Sequence, residues 1–330
     1  MKYINKLLFI ISIISCSDSK RATVTPREYL DEVLSVVEAS SIKRDLVDFD
    51  EIRRNAYAKI SDTDSIEKCY PIVRSILASL GDSHSFFMPK EQVEQWLTTS
   101  KISEVNEVIT FKCETINTDI GYIQMKGFNS GDSISIQLYA DSLQNQIKSI
   151  DSEIIKGWVL DLRGNTGGNC WPMLAGLGPL LGNGVCGYFI DNNQAKSSWF
   201  YQDGESGIDS LTITKVSIQD YKLFNELNPV AVLTGRRTAS SGEVVTAAFK
   251  NKINAKSFGE KTGGYTTGNK GFQLSDGSKI FLASSIYADR EENVFGDSIE
   301  PDEKCSFLKS SIGQTNDSLI IKAMNWIYEN

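Results

Sequence analysis

The sequence carries one histidine, His84, among 330 residues, and its six cysteines fall at no C-x-x-C or Cys/His spacing. A zinc site would find almost no nitrogen ligands, so no metal centre is expected. Proline is scarce, with 7 residues beside 25 glycines, and the chain is 41% hydrophobic and 23% charged. That balance excludes a disordered, collagen-like or multi-pass membrane chain. Positive charge is in deficit, 34 Lys and Arg against 42 Asp and Glu, and a net charge of −8 argues against nucleic acid as the main partner. At roughly 150 residues per domain the length suggests about two domains.

The one strongly apolar run lies at the start. Lys2 and Lys6 precede Leu7–Ile14, and Ser15-Cys16 follows. A basic stretch, a short apolar stretch and a small residue make a signal peptide, too short to remain as a spanning helix. Ile13-Ile14-Ser15-Cys16 resembles a bacterial lipobox, so residues 1–16 read as a lipoprotein signal with Cys16 as the lipidated residue, and residues 17–24 as a polar tether. This implies export and a lipid anchor in the bacterial cell envelope, at the periplasm or outer membrane. Cys69, Cys113, Cys170, Cys186 and Cys305 read mainly as small buried residues, with one disulfide left open.

Residues 25–95 read as a helical lobe of three helices. Thr25-Pro26-Arg27-Glu28 is a capping box ahead of Tyr29, Leu30, Val33, Leu34 and Val37 at helical spacing. Asp48 caps a second helix, and a third is expected over 64–80, kinked or starting late at Pro71, with Gly81 at its end. Residues 105–330 change to short apolar runs alternating with helices: strands at 108–111, 120–125, 158–162 and 230–233, and helices at 132–150 and 241–250. Strand–turn–helix units of this kind indicate an α/β core with a mostly parallel sheet. Residues 191–228 are polar and read as an irregular surface insertion.

Three loops offer chemistry. His84 sits in Gly81-Asp82-Ser83-His84, and histidine is the commonest general base at neutral pH. Asp161-Leu162-Arg163-Gly164-Asn165-Thr166-Gly167-Gly168 leaves a buried strand through a glycine-rich turn, which suits an oxyanion or simply a tight turn. It is neither a dinucleotide fingerprint nor a P-loop. Thr238-Ala239-Ser240-Ser241-Gly242-Glu243 fits a helix capping box as well as a nucleophilic serine at a helix N-terminus.

Taken together and in order, the G-D-S-H, D-L-R-x-N-x-G-G and T-A-S-S-G-E motifs resemble the C-terminal processing (tail-specific) serine peptidase family. Gly121-Tyr122-Ile123, Gly259-Glu260-Lys261-Thr262-Gly263-Gly264 and Gly296–Asp302 extend the likeness over about residues 75–305. The resemblance implies a crotonase-like ββα core, protein or peptide substrates, and no cofactor. The bacterial branch uses a lysine base at a position that here is Tyr265. The branch resembling the tricorn core protease and interphotoreceptor retinoid-binding protein uses a histidine instead. On that pattern Ser240 is the nucleophile and His84 the base. Ser83 and Glu300 would orient the imidazole, with Asp302 as the substitute for Glu300, while Ser241 and either Gly167 or Gly168 would hold the oxyanion.

Alternatives remain at this point: a Ser/Lys mechanism through Lys261, a non-catalytic binding lipoprotein on the same scaffold, and an acyl-CoA enzyme using the glycine turn. The stretch between Phe87 and Ile120 is too short for the peptide-binding PDZ domain that many processing peptidases carry there. Oligomeric state is not legible.

Overall fold

The computed structural model describes residues 24–98, 109–314 and 316–330. The signal sequence, Cys16 and residues 17–23 of the tether lie outside the described residues. Helix α1 (Pro26–Ser40) starts at the Thr25–Glu28 capping box and buries Tyr29, Leu30, Val33, Leu34 and Val37. Asp48 caps α2 (Phe49–Tyr57) by accepting from Asp50 and Glu51 N–H groups. The third helix, α3 (Tyr70–Ser79), begins later than the 64–80 expectation, after a 3-10 turn at Ile66–Cys69. Pro71 has no N–H and so is accommodated in the first turn. Gly81, at φ +68°, then reverses the chain toward His84.

After β1 (Phe86–Met88) and α4 (Lys90–Thr98) come the hairpin β2 (Phe111–Ile116) and β3 (Ile120–Met125), α5 (Ser133–Ile150), β4 (Gly157–Asp161), and α6 (Cys170–Gly176) with the short α7 (Gly178–Leu181). An antiparallel run follows, β5 (Gly184–Asp191), β6 (Lys196–Gln202), β7 (Glu205–Ile208) and β8 (Leu211–Lys215). The chain closes with β9 (Val230–Thr234), α8 (Ser241–Phe249), β10 (Ala255–Gly259), β11 (Thr267–Gln273), β12 (Lys279–Ala288), β13 (Glu303–Lys304) and α9 (Ser318–Glu329).

The strands form two sheets. One runs β13-β10-β9-β4-β3-β2 and is parallel except for the β2–β3 hairpin; the other runs β1-β12-β5-β6-β7-β8 with β11 on β12. Two expectations are corrected here. The strand expected at 108–111 is β2, at 111–116. It is a half-exposed edge strand, so its polar residues hid it. Residues 191–228 are not an irregular insertion, since β6, β7 and β8 run through them. They alternate exposed polar residues with buried Trp199, Tyr201 and Ser206, a half-solvated antiparallel pattern that does not read as a continuous apolar run.

Alternation in the parallel strands decides the layers. Trp158, Leu160, Val230 and Val232 face a core shared with α5, α6 and α8; Val159, Ala231 and Leu233 face α9. The N-terminal helices pack on the second sheet, where Phe87, Leu274, Ile280 and Leu282 complete their core. Among the described residues no helix is long and apolar enough to cross a membrane.

One buried ionic cluster fixes the end of β4. Arg163 donates to both oxygens of Asp161 and both of Asp317, the N-cap of α9, with all three side chains fully buried. Burial alone would raise the Asp317 carboxyl, but Arg163 holds it below the usual range. Asp317→Asn removes half of the counter-charge from a buried guanidinium. It is expected to lower unfolding free energy by about 3–5 kcal/mol, read by denaturant titration; a loss under about 1 kcal/mol would contradict the role of this cluster.

Candidate active site

β4 and β9 are adjacent and parallel, with Asp161 opposite Leu233, so the glycine-rich turn and the Ser240 loop leave the same sheet edge side by side. Backbone pairing stitches them: Ala239 N–H donates to Asn165 O at 2.9 Å, and Thr238 Oγ1 to Leu162 O at 2.8 Å. Ligand sites in such sheets lie at this carboxyl edge. Glycine is required at the contact. A Cβ on Gly167, at φ +105°, would lie 2.8 Å from Ser240 Cβ, and one on Gly168, at φ +120°, would lie 2.0 Å from Phe128 O.

Ser240 has φ +51° and ψ −114°, a strained conformation for a non-glycine residue, at the N-terminus of α8. The Glu243 carboxylate holds it there by accepting the Ser240 N–H at 2.8 Å. That carboxylate is fully buried and also accepts from Gly264 N–H, Tyr265 N–H and the Thr262 hydroxyl. Burial raises its pKa against those four donors.

His84 Nε2 lies 3.0 Å from Ser240 Oγ, and Nδ1 lies 2.7 Å from Thr267 Oγ1. For Nε2 to accept the serine proton, Nδ1 carries the ring hydrogen and donates it to Thr267. Asp82 folds the loop by accepting from His84 N–H, Ser85 N–H and Ser85 Oγ, and Asn269 Nδ2 donates to His84 O. Tyr265 packs edge-on to the imidazole with centroids 5.2 Å apart.

Two carboxylates expected at the imidazole are elsewhere. Glu300 is half exposed and pairs with Lys304 at 3.2 Å. Asp302 pairs with Lys250 at 2.5 Å and accepts from Ser257 N–H and Oγ. Ser83 is exposed and makes no hydrogen bond to the ring. The place expected for these groups is taken by Thr267 on β11, whose hairpin partner β12 also pairs with β1 beside the histidine loop, so that the contact joins residues 183 positions apart and leaves no local signal in sequence. Of the two glycines, Gly167 has its N–H committed to Asn165 Oδ1 at 3.0 Å. Among the described residues the N–H groups of Gly168 and Ser241 have no partner. Lys261 is exposed and does not line the cleft. Arg163, the one basic residue of the glycine turn, is consumed by Asp161 and Asp317 and is not available to a phosphate.

The His84–Ser240 pair opens into a cleft of about 1360 Å³. Phe86, Trp96, Phe281, Trp171, Phe189 and Tyr287 give it apolar surfaces, with Phe86 stacked on Phe281 at 4.8 Å. Burial pushes the His84 pKa down to about 4, opposed by the negative charge of Asp82 and the hydrogen bond to Thr267. The ring is therefore neutral, and able to accept a proton, throughout the neutral range.

The chain is similar to known proteins in sequence and in overall fold. Residues 119–305 match the model of peptidase family S41. His84 lies ahead of the matched region, while Ser240 and both stitched loops lie inside it. The chain is 29% identical over 288 residues to the nisin-resistance protein of Lactococcus lactis subsp. lactis, covering 87% of this chain and 86% of that protein. It is 28% identical over 189 residues to the carboxy-terminal processing protease CtpA of Bacillus subtilis (strain 168), covering 56% of this chain and 36% of that protein. A solved structure of a lipoprotein from Streptococcus agalactiae superposes with a TM-score of 0.74 at 25% identity, over 99% of each chain.

With one histidine in the chain, an NMR titration of imidazole-labelled protein has a single resonance set to follow. It is expected to titrate with a midpoint near 4; a midpoint near 6.5, the unperturbed value, would contradict the burial of the ring.

Proposed function

The chain belongs to peptidase family S41, and from that premise we propose that it is a serine endopeptidase working through an acyl-enzyme, with Ser240 as nucleophile and His84 as base. The observation that carries the reading is the 3.0 Å contact between His84 Nε2 and Ser240 Oγ, on a serine held at positive φ at a helix N-terminus. A serine hydroxyl attacks a peptide carbonyl only when a base takes its proton in the same step. Nε2 would take it and then return it to the leaving amine, after which a water activated by the same nitrogen would release the acyl group.

The tetrahedral oxyanion would sit against the N–H groups of Gly168 and Ser241, which have no partner among the described residues, at the positive end of α8. Thr267 would keep the imidazole in the reactive tautomer. Because no carboxylate among the described residues hydrogen-bonds the ring, the imidazolium that forms draws on Asp82 only through space. This favours a base that stays unprotonated at low pH and costs stabilisation of the charged intermediate. We take the parallel core to be crotonase-like, with the proposed oxyanion turn on its carboxyl edge.

For location, the Cys16 lipobox and the lipoprotein among the similar structures support an exported protein anchored by acyl chains. The relative named for nisin resistance makes nisin the first compound to assay.

An active-site fluorophosphonate probe is expected to label Ser240 in the wild-type chain. His84→Ala should slow labelling by about 10³-fold or more, with no second histidine to substitute, and Ser240→Ala should abolish it. A folded chain with His84 intact that never labels would overturn the proposal and favour a binding protein on the same scaffold.

A further inference from the structure

The cleft differs in charge from the molecule around it. The chain carries −8, yet the ionised side chains lining the cleft are Arg44, Arg236, Arg237 and Lys270 against one carboxylate, Asp191. Two of these are already occupied: Asp191 Oδ1 accepts the N–H groups of Asn193 and Ala195 in its own turn, and Arg44 donates to Ala39 O and Asn193 Oδ1. Arg236 approaches Glu260 only to 4.0 Å with its side chain 68% exposed. Among the described residues no carboxylate pairs with Arg237 or Lys270.

The two arginines are also well placed. They occupy the turn between Gly235 and Thr238, which is closed by Gly235 N–H on Thr238 Oγ1 and anchored by Thr238 Oγ1 on Leu162 O. Their backbone is thereby fixed relative to Ser240 on the same loop, while their side chains are exposed and, apart from the 4.0 Å approach of Arg236 to Glu260, pair with no carboxylate among the described residues. Guanidinium groups bind carboxylates through two parallel N–H···O bonds, and a lined cleft concentrates their field.

We infer that Arg236 and Arg237, assisted by Lys270, bind a carboxylate of the peptide substrate within the cleft that holds Ser240, and so make the site selective for peptides that carry a carboxylate there. The carboxylate is either the free C-terminal α-carboxylate or an acidic side chain. This inference rests on the peptidase reading above and names the substrate class for that same site.

The test uses a defined synthetic peptide library in three forms: C-terminal free acids, C-terminal amides, and amides with every Asp and Glu replaced by Asn and Gln. Wild type, R236Q/R237Q and R236K/R237K are compared by kcat/KM on the peptides cleaved. Wild type is expected to prefer carboxylate-bearing peptides by about two- to fivefold, the effect of an exposed ion pair, and to lose most of that preference in about 0.5 M salt. R236Q/R237Q should lose it and R236K/R237K should keep part of it. A preference confined to free acids over amides identifies the C-terminus as the source; one that survives amidation and disappears in the Asn/Gln set identifies the side chains. Equal rates on all three forms, a preference retained by R236Q/R237Q, or no cleavage of any form by a chain whose Ser240 labels, would overturn the inference. Fluorophosphonate labelling of wild type keeps the two failures apart: no label defeats the peptidase reading, and label without preference defeats only the carboxylate selection.

Discussion

The Glu243 carboxylate, buried in the first turn of α8, accepts hydrogen bonds from Ser240, Thr262, Gly264 and Tyr265, and the geometry of the cleft follows from that constraint. A buried carboxylate left without donors would be costly, so the four donors are drawn to it from two separate loops. One loop is thereby held at the Ser240 conformation with φ +51°. The other is the approach to β11, which delivers Tyr265 to the edge of the imidazole and Thr267 to its Nδ1. What reads in sequence as half of a capping box is in the fold the joint between a strained serine and the strand that orients His84.

The rest of the site is built against this joint. The parallel register of β4 and β9 brings the glycine turn to the serine, and Asn165 binds it from both ends. Its carbonyl accepts Ala239 N–H, and its side chain takes Gly167 N–H. That second bond occupies the Gly167 N–H, whereas those of Gly168 and Ser241 have no partner among the described residues. Below, the Asp161–Arg163–Asp317 cluster ties the strand end to α9, which converts a motif arginine into a structural one. Its burial also removes the main basic residue that a phosphate-bearing ligand would have used at this turn.

Local signals carried the parts of the fold that local physics decides. The caps at Thr25 and Asp48 and the buried runs of β4 and β9 are properties of a few neighbouring residues and were legible, while Pro71 left a kinked or a late-starting helix open and the late start is the one found. The meander β6–β8 was not, because half-solvated strands alternate polar and apolar residues without a long apolar run. Nor was the group on His84 Nδ1. Glu300 and Asp302 are acids in the expected part of the chain, but the cations Lys304 and Lys250 bind them outward. Thr267 reaches the ring only because β11 pairs with β12, which in turn carries β1 and the histidine loop. Such a contact is set by sheet pairing across 183 positions, and no spacing in the sequence encodes it.

The central claim is that a half-buried imidazole, supported by a hydroxyl and not by a carboxylate, activates Ser240. Its most direct test is the pH dependence of the rate at which a fluorophosphonate acylates the serine in place of substrate. If His84 is the base and burial sets its ionisation, the rate stays level from neutral pH down to about 5 and falls with a midpoint near 4, where the ring protonates. A fall with its midpoint between about 6 and 7, the range of an ordinary or carboxylate-paired histidine, would contradict the account.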